Sequence, residues 1–175
     1  MTDAADYDWS TFSIVLYYDR PIDEVFRSWT TGRGLESFFV AEARFRSADG
    51  IERAADEVVQ KGDRFRWHWR HPFVLEGAVT NVVPNRKFSF SFGSMAVSVM
   101  FSRTDSQTEI HLVQSEIPET AEGRVMGHLN CRSCWIFFLV NLKSVLETDR
   151  DLRDSRPDRV SSVEVGFEPL SGKGE

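Results

Sequence analysis

The sequence predicts an α+β fold: a curved antiparallel sheet wrapped around one long C-terminal helix, with two short helices after the first strand. Three observations predict it. Strand-like and helix-like segments are segregated along the chain, which favours an antiparallel sheet over alternating βαβ units. Residues 129–148, LNCRSCWIFFLVNLKSVLET, contain no Gly or Pro, so nothing interrupts a helix there. Within that stretch Trp135, Phe138, Leu142 and Val145 or Leu146 recur at three- and four-residue steps, which stacks them on one helical face. Ile136, Leu139 and Val140 widen the stripe, so the helix must be wrapped by something. At 1.5 Å per residue it spans about 30 Å, the diameter of a small domain. Its ends are too polar for a membrane span, which needs about 20 mainly apolar residues.

The other elements follow in order. Residues 1–10 read as a leader. Thr11 to Asp19 is rich in β-branched and aromatic residues and alternates Phe12, Ile14 and Leu16 on one face, a strand. Pro21 followed by Asp23 and Glu24 marks a helix start. Ile22, Val25, Phe26 and Trp29 keep helical spacing, and Gly32 and Gly34 are expected to end the helix. A second short helix is expected over Leu35 to Phe39. Ala41 to Ser47 and Glu52 to Gln60 flank Ala48-Asp49-Gly50, a hairpin-type turn signal. Arg64 to Arg70 alternates strictly, with Phe65, Trp67 and Trp69 on one face and Arg64, Arg66, His68 and Arg70 on the other. Strands are then expected over Phe73 to Val83, Arg86 to Gly93, Met95 to Arg103 and Gln107 to Ile117. Residues 118–123 form a polar joint. After Arg150 the composition turns polar, and residues 151–175 read as a tail. Val160, Val163, Val165 and Phe167 could lay part of it along a sheet edge.

Residues 11–150 thus form one domain, within the size range of a single hydrophobic core. Fourteen Phe and five Trp among 175 residues suit wide interlayer spaces or an apolar cavity. A formal net charge of -6 disfavours a nucleic-acid partner, which needs clustered Lys and Arg. The acidic, polar opening Met1-Thr2-Asp3 lacks a signal-peptide pattern, so a cytoplasmic protein is expected. Cys131 and Cys134 form a C-x-x-C pair inside the proposed helix. A redox dithiol belongs at a helix start after a strand, and a zinc site needs two further ligands. Packed thiols are therefore expected, with no metal and no cofactor.

The alternation assigns candidate site residues. The sheet's gripping face carries Phe65, Trp67, Trp69, Val79, Phe88, Phe90, Phe92, Val97, Val99 and Phe101. The long helix adds Trp135, Phe138 and Leu142, and the two short helices add Trp29, Phe38 and Phe39. Asn81 and Gln114 fall on the inward face by the same count, where an amide needs partners. The rings line either a filled core or a pocket for a small ligand. His68 and His111 fall on the wet face, and His71 sits at a strand end facing the mouth. None of these, nor His128, reads as a general base. The arginine stripe reads as a solvated face.

Several of these segments resemble the START-like (SRPBCC) superfamily of helix-grip folds, and within it the activator of heat-shock-protein ATPase homologue family. Residues 20–26, RPIDEVF, with Trp29-Thr30 are similar to that family's first strand-to-helix passage. Gly62-Asp63-Arg64-Phe65, then Glu76-Gly77-Ala78-Val79 and Val83-Pro84-Asn85-Arg86, resemble its central turns. Trp135, Leu139, Leu142-Lys143 and Leu146-Glu147 resemble its closing helix. Phe38-Phe39 stands where the family often has Trp, and Cys134 where it often has Gly, which narrows any space beside Trp135. The resemblance implies a sheet gripping the last helix over a cavity, and no fixed catalytic set. Three functional readings stay open. One is a non-enzymatic carrier of a small hydrophobic or aromatic ligand. A second is a protein-interaction module like chaperone activators, with a stress-response role. The third is a cyclase- or hydrolase-like enzyme using the same cavity. The carrier reading expects an enclosed cavity of about 300 Å³ or more between Trp67, Phe90 and Trp135, and a solid interior there would end it. Neither a nucleic acid nor a membrane is expected as partner, and the chain is expected to be a monomer or homodimer.

Overall fold

The computed structural model describes residues 7–70, 73–156, 158–159 and 161–167. The expectations for His71 and Val160 lie outside the described residues. Strand β1 (Phe12–Tyr18) leads into α1 (Ile22–Thr30) and α2 (Gly32–Phe38). Six further strands follow: β2 (Glu42–Arg46), β3 (Arg64–His68), β4 (Val74–Val83), β5 (Lys87–Phe92), β6 (Met95–Arg103) and β7 (Thr108–Ser115). A π-helical segment, Gly123–Asn130, runs directly into α3 (Cys131–Thr148), and α4 (Ser162–Val165) lies in the tail. The strands form one antiparallel sheet in the order β1-β7-β6-β5-β4-β3-β2. This is the helix-grip arrangement expected from the pattern.

The register explains the core. Phe45 pairs with Phe65, Phe88 with Val99, Phe90 with Val97, and Phe101 with Ile110. Directly paired residues point to the same side of a sheet, so these side chains form one inward face, and all are buried. At the far edge Phe12 pairs with Gln114, which places that amide inward as expected.

One inward expectation fails. The register between β4 and β5 shifts between Val79 and Asn81. Val79 still faces Phe90, and Val82, not Asn81, faces Phe88. The extra residue of such a bulge inverts the alternation beyond it. Asn81 therefore pairs with Ser89 on the outer face, where Ser89 and Ser98 share a 2.8 Å hydrogen bond.

The glycines after α1 open a helix instead of ending one. Thr31 caps α2, its hydroxyl accepting from the Gly34 N–H at 3.0 Å. A Cβ on residue 34 would stand 2.5 Å from the Arg27 carbonyl oxygen, so glycine is what lets α2 turn back onto α1.

The strand expected over Glu52 to Gln60 is a loop. Only the Arg46–Glu52 bridge continues from β2. Beyond it the backbone bonds to the helices, with Arg33 N donating to the Ala55 carbonyl and Val59 N to that of Thr30. Arg53 locks this loop through two bonds to the buried Asp63 carboxylate, 2.7 and 2.9 Å.

The ends of the chain are held by buried polar groups. Tyr7 and Trp9 of the expected leader pack edge-on against His128, whose ring also bonds to the Trp9 carbonyl at 3.1 Å. Among the described residues the tail does not follow a sheet edge, and residues 162–165 form a helix. Asn141, fully buried on α3, donates to the Phe38 carbonyl and accepts from the Leu152 N–H. Arg153, also buried, donates to the carbonyls of Val40 and Glu36 at 2.9 and 2.8 Å and pairs with Asp151 at 2.8 Å. Burial opposes ionisation of Asp151, but Arg153 and Asn141 outweigh it and hold the carboxyl below its ordinary range. These anchors turn the tail across α3, where α4 packs.

The sheet wraps only one side of α3. Trp135, Phe138, Leu139 and Leu142 are buried, while Ile136 and Val140 are exposed. Among the described residues no helix is long and apolar enough to cross a membrane.

Replacing Arg153 by Met should remove the guanidinium from Asp151 and leave the Val40 and Glu36 carbonyls without its donors. A loss of about 2 kcal/mol is expected, the scale of hydrogen bonds to a charged group. Urea unfolding measures it, and limited proteolysis should then cut the tail before the domain unfolds.

Candidate functional site

The site is built around one hydrogen bond between sheet and helix. The Trp135 indole N–H donates to Gln114 Oε1 at 2.8 Å. Gln114 is fully buried, and its amide nitrogen donates to the Gly127 carbonyl at 2.9 Å and lies 3.1 Å from Met95 Sδ. Gly127 belongs to the π-helical segment, and a Cβ there would stand 2.8 Å from an Ile117 methyl. Glycine thus lets the segment approach the sheet closely enough for its carbonyl to reach the amide. The buried amide is satisfied within the protein.

Around Trp135 the rings divide into a solid part and an open part. Phe65 and Trp67 stack with centroids 3.9 Å apart, and Trp67 meets Phe90 at 5.0 Å. Phe90 lies 6.4 Å from Trp135 and Trp29 lies 5.9 Å from it. The large enclosed cavity expected between Trp67, Phe90 and Trp135 is therefore replaced by packed rings, which ends the carrier reading at that place. Large aromatics on both layers meet and fill the space, as dense interiors do. The indole N–H groups of Trp29 and Trp67 are buried without a hydrogen-bond acceptor among the described residues, each among aromatic neighbours.

The open part lies at the N-terminal end of α3, where a cavity of about 180 Å³ remains. Phe39, Trp69, Phe92, Trp135 and Phe138 form its inner wall. Phe39 stacks on Trp135 at 5.0 Å and meets Trp69 edge-on at 5.2 Å. Phe73, Met126 and Val165 line the rim, and the polar groups on the wall are Asn130, Cys131, Cys134 and Glu164.

Of the residues expected in the site, the structure brings Phe39, Trp69, Trp135 and Phe138 to this cavity. Trp29, Phe38, Phe65, Trp67, Phe90, Val99 and Leu142 are buried in the packed core. Gln114 is engaged with Trp135, and Asn81 is on the outer face. Met126 and Glu164 carried no periodic signal. Both come to the wall through tertiary geometry, Glu164 because the tail is anchored across α3.

The thiols are half-buried, three residues apart on one face of α3. Burial pushes both up, with the neighbouring Cys131 adding to the effect on Cys134, which rises to about 11. At neutral pH they are therefore thiols, the protonation state of packed cysteines and not of a reactive dithiol. Glu164 Oε2 accepts the Asp154 N–H at 3.2 Å.

A family model described as Activator of Hsp90 ATPase homolog 1-like protein matches residues 19–147. Solved structures share the fold at low identity. A protein from Staphylococcus saprophyticus is 16% identical, over 82% of this chain and 98% of its own, with a TM-score of 0.63. An Aha1 dimer from Colwellia psychrerythraea is 17% identical, over 80% of this chain and 98% of its own, with a TM-score of 0.64. DynU16, a protein in the dynemicin biosynthetic locus, is 16% identical over 81% of this chain and 49% of its own, with a TM-score of 0.64. No curated protein matches the chain.

Trp135→Phe should strand Gln114 Oε1, and Gln114→Leu should strand the Trp135 N–H and the Gly127 carbonyl. Each is expected to cost about 2 kcal/mol by the penalty for a buried unsatisfied group. The double variant should be less destabilised than the sum by about 1 kcal/mol. Urea unfolding of the four proteins measures the coupling.

Proposed function

The chain belongs to the Activator of Hsp90 ATPase homolog 1-like family, and from that premise we propose that it is a non-enzymatic binding protein. It holds one small apolar or aromatic molecule at the open end of the grip. The observation that carries this reading is the ring-lined cavity of about 180 Å³ beside Trp135. An apolar cavity of about 150 Å³ accepts benzene, so this volume suits a single ring with a short arm. It falls below the roughly 300 Å³ at which drug-sized sites begin, so a long-chain lipid does not fit. The wall offers aromatic faces for stacking and few polar groups to fix orientation, the usual make-up of such a site. Its thiols are held protonated by burial, which favours binding over nucleophilic chemistry.

Titration with indole tests this. The indole N–H resonances of Trp69 and Trp135 should shift in a saturable way, with a dissociation constant on the order of 1 mM for so small a ligand. Cys134→Phe, which fills the cavity, should abolish the shifts while circular dichroism stays native. Shifts that persist in that variant, or none in the parent, would exclude the cavity as the site.

A second reading concerns self-association, and one observation favours it. Ile136 and Val140 on the outer face of α3, with Val163 and Phe167 of the tail, expose apolar surface on one side of the molecule. Such a patch marks an interaction site more often than chance, and the Colwellia relative is described as a dimer. Under this reading sedimentation velocity shows a dimer that Val140→Glu converts to monomer. A single monomeric boundary at every concentration ends it. The chaperone-activator reading rests on the family's description alone.

A further inference from the structure

We propose that the cavity selects a small organic cation, an aromatic or alkyl primary ammonium, by combining its ring cage with the carboxylate of Glu164. The inference rests on the cavity being a ligand site and adds the charge of the ligand. Two independent features of the wall support it.

The first is the cage. Phe39, Trp69, Phe92, Trp135 and Phe138 present aromatic rings from β5, α3 and the residues just past α2 and β3 to one space. Ring faces carry negative electrostatic potential, and several around one point attract an ammonium group. No Lys, Arg or His lines this space among the described residues.

The second is Glu164. It is 9% exposed, yet it forms part of the cavity wall. Its Oε2 accepts one bond, from the Asp154 N–H. Among the described residues the carboxylate has no ion pair. The tail's arginines are committed elsewhere: Arg153 to Asp151, Arg156 to Asp158 and Arg159 to Asp154. A carboxylate this far from water normally has a cationic or multiple hydrogen-bonding partner. A ligand ammonium would supply it by a charge-assisted hydrogen bond. The ring of the same ligand would sit against Phe39 and Trp135, deeper in the cavity.

This geometry also assigns a role to the tail. Arg153 and Asn141 fix the segment that precedes α4, and α4 brings Glu164 over the end of α3. Removing the tail's anchorage would therefore remove charge selectivity while leaving the ring cage in place.

Three probes of one shape and different charge test the inference on the full chain: 2-phenylethylamine, 2-phenylethanol and phenylacetate. Each is titrated against the indole resonances of Trp69 and Trp135 at neutral pH. The ammonium should bind at least about tenfold more tightly than the carboxylate, with the alcohol between them, as expected for one charge-assisted contact. Glu164→Gln, which keeps the acceptor for Asp154, should bring the three affinities within about twofold, since only the charge is lost. Equal binding of all three by the parent protein, or an unchanged preference in Glu164→Gln, overturns the charge assignment and leaves the cavity reading standing. Binding by none of the three overturns both.

Discussion

The fold depends on joining a twisted sheet to a helix that crosses it, and the Trp135–Gln114 hydrogen bond is where that join is fixed. An indole buried between two layers brings a donor that must be satisfied. The sheet answers with an amide at an inward position of β7, and that amide then needs an acceptor of its own. The acceptor is the Gly127 carbonyl, which a wider helical turn and a missing side chain allow to come close. One buried bond thus accounts for the amide in an otherwise apolar face, for the π-helical entry to α3 and for a glycine at its midpoint. π-helical turns are uncommon and concentrate at functional sites, and this one borders the cavity wall at Met126 and Asn130.

The same join divides the interior. On the side of Phe65, Trp67 and Phe90, rings from β3 and β5 meet those of α2 and α3 and leave no room between them. On the other side, around Trp69, Phe92 and the N-terminal end of α3, packing is incomplete and a cavity remains. The tail comes back over this gap. Its path is set by Arg153 and Asn141, whose hydrogen bonds reach α2, α3 and the chain between α2 and β2 at once. Two buried polar side chains therefore decide where a wall of the cavity stands. A buried guanidinium is stable only with its donors matched, so alternative tail paths are disfavoured.

The exposed outer face of α3 belongs to the same logic. A helix gripped by one sheet buries one half of its circumference, and α3 is apolar around more than half. The tail's Val163 and Phe167 lie beside Ile136 and Phe137, yet Ile136 and Val140 keep substantial exposure. Sequence periodicity shows the breadth of the apolar stripe but not what covers each part of it.

Much of the architecture was legible in the chain itself. Strict alternation at Phe65 and Trp67, at Phe88 and Phe90, and at Val97, Val99 and Phe101 identified the inward face, because side chains alternate along every strand. The spacing of Trp135, Phe138 and Leu142 identified the gripped face of α3, because helical neighbours recur at three and four residues. These are local rules, and they hold wherever the backbone is regular. They failed where it is not: at Asn81, past a bulge; at Gly32 and Gly34, which open α2; and over residues 52–60, whose backbone bonds to helices. Four rings of the cavity, Phe39, Trp69, Trp135 and Phe138, were legible as inward residues, but not that a gap remains beside them or which polar groups border it. Whether facing rings touch or leave a gap depends on how the two layers meet, and Glu164 reaches the wall from the tail, distant in sequence from the rings of the sheet. Those outcomes follow from long-range hydrogen bonds and packing, which no local pattern encodes.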